Sequence, residues 1–112
     1  MRFHISTLIK VLGVGAFLFI FGLALQAGSA PDGAELFKQK CAMCHGMDGK
    51  GFPALKTPDF TSPKVQASLT DKEIAETIKN GKKGTAMPPF ADSLNDEQIH
   101  SLVTYIRSLK KK

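Results

Sequence analysis

Tryptophan is absent from the 112 residues, tyrosine occurs once, and cysteine occurs only twice. So few large aromatics leave little to fill the centre of a domain, so something other than side chains is expected there. An excess of charge is lacking too. The formal charge is +5 overall and falls to +3 once Arg2 and Lys10 are set aside with the first 30 residues. That is mildly basic and well short of the field that nucleic-acid binding needs. No segment reads as a convincing strand, and neither repeats nor low-complexity stretches occur. Only one long apolar run is present, Val11 to Leu25, 15 residues without a charge.

That run sits in a familiar arrangement. Arg2 and Lys10 precede it without any acid, and the small residues Ala27 to Ala30 follow it. A basic start, an apolar middle and a small-residue exit make a secretory signal. Gly28-x-Ala30 or Ala27-x-Ser29 supplies the cleavage frame. The alternative is an uncleaved anchor over residues 8–27, since a spanning helix needs about 20 apolar residues. The chain then divides into a signal or anchor, 1–30, and one domain, 31–112. Both outcomes put that domain outside the cytoplasm, in the periplasm or on the outer face of the inner membrane. A domain of this size is marginal on its apolar core alone, and a cofactor usually helps.

The domain reads as all-α, with three main helices and long loops. Asp32 caps the first, in which Gly33, Leu36, Phe37, Cys41 and Cys44 share one face, and Gly46, Gly49 and Gly51 end it. Gly46 to Ser68 is loop-rich, with one short helical turn at Ser62-Pro63. Thr70-x-x-Glu73 is a capping box for the second helix, Leu69 staples onto Ile74, and Asn80-Gly81 stops it. Asn95 and Gln98 repeat the device for the last helix, whose apolar stripe is Ile99, Leu102, Val103, Ile106 and Leu109. Lys110 to Lys112 follow at the negative end of its dipole. Loops longer than about 12–15 residues in a small domain normally surround something.

What they surround is indicated by Cys41-Ala42-Met43-Cys44-His45. Cys-x-x-Cys-His is the attachment signature of c-type haem. Two cysteines three apart on a helical turn point the same way and can bond the vinyl groups on one edge of the macrocycle, and the adjacent His45 reaches the iron. One motif implies one haem c per chain. A thioredoxin-like pair would want an α/β setting and would leave His45 idle. A zinc site needs four ligands, and only His100 and carboxylates remain to supply them. A disulfide across so small a loop would add little.

The second axial ligand largely sets the function. Met43 and Met47 lie too near His45 to reach the opposite face of the ring, and Met1 belongs to the export segment. Met87, in Gly84-Thr85-Ala86-Met87-Pro88-Pro89-Phe90, remains, and its prolines stiffen the loop that would hold it. His100 falls with Glu97, Thr104 and Arg107 on the polar face of the last helix and reads as a surface residue. The expected ligand pair is His45 and Met87.

With these motifs in place, residues 32–110 resemble a class I cytochrome c of the small bacterial kind, similar to cytochromes c6 and to the haem domains of oxidase subunits. The resemblance implies the cytochrome c fold wrapped around the haem. It implies that Gly33 and Phe37 on the first helix pack against Leu102 and Tyr105 on the last. It also implies that a proline carbonyl, Pro58 with Pro53 as the fallback, accepts the ring N–H of the axial histidine. Ile78-x-Asn80-Gly81 and Met87-Pro88 match as well. Two features depart from the family. No Trp is available for a haem propionate, a task left to Lys56 or backbone N–H groups, and Lys64-Val65 stands where a bulkier aromatic is common.

The function implied is one-electron transfer by a carrier that is not itself an enzyme, its iron cycling between ferrous and ferric. The alternative is a haem subunit of a larger membrane-associated oxidoreductase, and a sensor of gaseous ligands would require a weak Met87 bond. The partners implied are redox proteins, acidic or membrane-bound, with membrane contact only if the N-terminus is retained. Lys40, Lys50, Lys56, Lys79, Lys82 and Lys83 flank the haem-bearing loops and suit an acidic partner.

Overall fold

A computed structural model describes residues 31–112. The export segment or anchor expected at 1–30 lies outside the described residues. Five α-helices follow in order: α1 Gly33–Lys40, α2 Ala42–His45, α3 Pro63–Ser68, α4 Asp71–Asn80 and α5 Asp96–Ser108. A 3-10 turn at Pro53–Leu55 interrupts the first long loop. No strand occurs among the described residues.

Helix ends fall where local side chains can satisfy the unpaired amides of a first turn. Asp32 accepts from the N–H groups of Ala34 and Glu35. Thr70 and Glu73 form a reciprocal capping box on α4, and Asn95 and Gln98 form another on α5. At the other end of α4, Gly81 turns the chain with φ of +72. The expected first helix is instead two. At Cys41 φ opens to −118, although the Cys41 N–H still reaches the Phe37 carbonyl and the Cys41 carbonyl still receives His45. The chain therefore keeps its hydrogen bonds on both sides while displacing the turn that carries Cys44 and His45.

Helix α5 is the spine against which α1 and α4 pack. Ile99, Leu102, Val103 and Ile106 are all buried, and Leu102 is fully enclosed. Each such side chain contributes about 1.5–3 kcal/mol on leaving water. The crossing of α1 over α5 is set by Gly33: a Cβ there would stand 2.2 Å from the Ser101 carbonyl oxygen and 3.0 Å from Tyr105 Cβ. Phe37 meets the Tyr105 ring at 5.3 Å. The α1–α5 pairing is therefore as expected, except that the backbone of Ser101, rather than Leu102, takes the glycine contact. Leu102 lies beneath them in the common core.

Candidate haem site

The short helix α2 presents the motif. Cys41 is half-buried and Cys44 exposed, and the two are not bonded to each other. Burial pushes the Cys41 thiol up to about 11, so it stays protonated at neutral pH. His45 is half-buried, and burial lowers its pKa from 6.5. Its imidazole is therefore neutral at pH 7, the form with a lone pair to give to a metal.

Two aromatic rings define the orientation of His45. Phe60 stacks on it with centroids 5.1 Å apart and planes 21° apart, and Phe37 lies tilted at 6.4 Å. Its Nδ1 is buried and has no hydrogen-bond partner. Pro58 is exposed, and its carbonyl lies beside Gly51, where a Cβ would approach within 2.9 Å. With Nδ1 unpartnered, no hydrogen bond joins His45 to Pro58 in this structure. Pro53 begins the exposed 3-10 turn.

Met87 is half-buried and packs against the core. Its loop is folded on itself. The Thr85 hydroxyl accepts from the Met87 N–H and donates to the Lys82 carbonyl, and the Lys82 N–H reaches the Met87 carbonyl. Gly81 does more than stop a helix: a Cβ there would stand 2.8 Å from the Met87 carbonyl and 2.9 Å from the Pro89 nitrogen. The loop then returns to α4, where the N–H groups of Phe90 and Ala91 bond the carbonyls of Ile78 and Lys79. Met43 and Met47 are exposed, at 89% and 62%, and His100 is exposed on α5.

The residues fit a covalently held haem. Two unpaired thiols precede a neutral histidine that carries an unsatisfied buried nitrogen, and buried polar atoms without partners are rare unless something else satisfies them. Sequence reasoning missed Phe60 as the neighbour of His45. It also put Arg107 on the solvated face. In fact Arg107 is part-buried, bonded to Asp71 through Nε, to both Gln66 oxygens, and to the Leu69 carbonyl. Its signal, one cation near the end of an apolar stripe, does not name partners 36 to 41 residues away.

Comparison with known proteins agrees. Residues 28–106 match the family model of cytochrome c oxidase, cbb3-type, subunit III. The chain is 37% identical over 97 residues to the cbb3-type cytochrome c oxidase subunit FixP of Sinorhizobium medicae, covering 76% of this chain. It spans only 32% of that relative's length. Against cytochrome c6 of Nostoc it is 30% identical, over 86% of this chain and 85% of the relative. Among solved structures, the KustC0563 c-type cytochrome superposes with a TM-score of 0.67 at 34% identity, covering 72% of this chain and all of the other. The chain belongs to the c-type cytochromes, in the family of cbb3-type cytochrome c oxidase subunit III, electron-transfer proteins that carry haem c.

Proposed function

We propose that the chain carries one haem, bonded through Cys41 and Cys44 with the iron between His45 and Met87, and serves as an exported one-electron carrier. The observation that carries this reading is the imidazole of His45: neutral, half-buried, set beside two unpaired thiols, and without a hydrogen bond at Nδ1. The haem supplies the redox change, iron passing between ferrous and ferric.

The protein's own residues bind, orient and shield. Cys41 and Cys44 tether one edge, and Phe37 and Phe60 hold the histidine plane and exclude water beside it. The Thr85 and Gly81 contacts hold the Met87 loop. Pro58, whose carbonyl stands at the Gly51 turn, would be the acceptor for the Nδ1–H of a ligated His45. No acid–base pair is required. Met43, Met47, Phe52 and Leu55 are exposed apolar side chains close in sequence around the motif, with Lys40, Lys50 and Lys56 also exposed in that stretch. Exposed apolar side chains with cations nearby suit brief docking to an acidic redox protein.

A second reading is favoured by the match to FixP: a haem subunit of a membrane-associated oxidoreductase. The match to cytochrome c6 over 85% of that protein's length supports the carrier. No helix among the described residues is long and apolar enough to cross a membrane; the anchor of a membrane-held subunit would be residues 8–27, if they are retained. Purification from detergent-free and detergent extracts separates the two. A carrier elutes alone at the mass of one chain plus one haem, whereas a subunit co-elutes with an oxidase.

A further inference from the structure

We infer that Gln66 is a positioning residue for the axial histidine, acting through Phe60. The inference rests on the haem reading above. The ring that lies nearly parallel to His45 is Phe60, and a single hydrogen bond at Nδ1, which is unpartnered in this structure, would still leave rotation about that bond to be limited by this face contact. Phe60 is buried and held on both sides of its Cα. Its N–H donates to the Gly49 carbonyl at 2.8 Å, and its carbonyl accepts from Gln66 Nε2 at 2.7 Å.

Gln66 sits in the six-residue helix α3 and is only 5% exposed. Burying an amide is costly unless its donors and acceptor are all used. Here they are. The second Nε2 proton goes to the Ile106 carbonyl at 2.7 Å, and Oε1 accepts from Arg107 at 2.8 Å. Arg107 in turn holds the Gln66 and Leu69 carbonyls and the Asp71 carboxylate at the start of α4.

A staple alone would explain half of this. The Ile106 carbonyl lies in the last turn of α5, where it accepts only a 3.2 Å bond from the Leu109 N–H, and one amide proton gives it a second, shorter partner. The other proton goes to the residue whose ring faces His45. One side chain thus ties the imidazole plane to the end of α5, and Arg107 ties the same side chain to α4. The orientation of a metal-bound imidazole is set by such outer contacts, and polar networks of this kind hold their members cooperatively.

The test is a double-mutant cycle on the haem-loaded chain with Gln66→Met, Phe60→Leu and the pair. The readouts are the reduction potential and the hyperfine-shifted resonances of the His45 ring and haem methyls, with thermal unfolding in parallel. Gln66→Met keeps the length of the side chain and removes both donors. It is expected to displace the potential and the His45 resonances. Added to Phe60→Leu it is expected to lower the melting temperature further and to displace neither signal again. Wild-type resonances and potential in Gln66→Met, or equal displacements in both backgrounds, would overturn the inference. Gln66→Glu, which keeps the Arg107 partner but cannot donate when ionised, covers the case in which Gln66→Met does not load haem. It is expected to show displaced resonances, and unchanged ones in it would overturn the inference too. A wild-type chain without covalent haem would instead overturn the haem reading.

Discussion

The segments 46–62 and 81–93 each leave a helix at a glycine of positive φ, +78 at Gly46 and +72 at Gly81, yet they are secured by different means. The first is tied into the core. Phe60 and Thr61 are buried, Gln66 holds the Phe60 carbonyl, the Lys111 N–H reaches the Thr61 carbonyl, and the Gly51 N–H reaches the His45 carbonyl. In the second, no residue from Lys82 to Ser93 is buried. Its order comes from backbone hydrogen bonds to the end of α4, the Thr85 hydroxyl, and an exposed Lys79–Asp96 ion pair of 2.9 Å. Exposed ion pairs contribute at most about 1 kcal/mol. Segments with few buried contacts open first. The segment 46–62, whose Phe60 faces His45, is therefore the fixed one, and the segment 81–93, which carries Met87, the one that yields.

The comparison can be broken outright by Cys41→Ser with Cys44→Ser. Nothing then tethers the haem between the two segments, and acid-acetone extraction should remove all of it, where the wild type keeps all of it. Breaking one side only, Met87→Ala should leave the haem attached, abolish the near-infrared sulfur-to-iron band of the ferric protein, and let carbon monoxide bind readily. Unchanged spectra would remove Met87 as a ligand.

Two glycines sharpen the contrast at smaller cost. Gly51 has φ of +70, and a Cβ would meet the Thr57 carbonyl at 2.7 Å and the Pro58 carbonyl at 2.9 Å. Gly51→Ala should cost about 3 kcal/mol in chemical denaturation, from overpacking against backbone together with the strained φ. Gly84 has φ of +76 with nothing within 4 Å of its Cβ position. Gly84→Ala should therefore cost only the conformational part, about 1 kcal/mol. Equal losses would mean that the two segments are packed alike.

The smallest effect concerns neither segment but the start of α4, which supports both. The Thr70 backbone N–H and hydroxyl hold the Glu73 carboxyl below its ordinary pKa of 4.5. A depressed folded pKa means the carboxylate stabilises the fold above about pH 4.5, and that contribution is lost as pH falls through the lower folded value. Glu73→Gln should flatten this part of the acid dependence of the melting temperature while leaving the rest unchanged.

Much of this frame was legible because caps are local. Thr70 with Glu73, Asn95 with Gln98, and Asp32 each fix a helix start within three residues of chain, and the Cys41 to His45 motif is contiguous. The resemblance to class I cytochromes c implied that Gly33 and Phe37 meet the last helix, though not that Ser101 would supply the opposing carbonyl. The break at Cys41 was not legible, since a single wide φ leaves the apolar spacing intact. Nor was the Gln66–Arg107 network, because its partners lie 40 and 41 residues apart and neither residue type advertises burial. Phe60 over His45 was hidden for the same reason: proximity across a loop leaves no periodic trace. The second duty of Gly81, clearing room for Met87 and Pro89, was masked by its obvious duty as a helix stop.

The most direct measurement of the central claim is the intact mass of the purified, exported protein under denaturing conditions. The account predicts the chain mass, minus any cleaved signal, plus one haem that denaturation does not remove. The bare polypeptide mass, or one lower by two hydrogens from a Cys41–Cys44 disulfide, would contradict it.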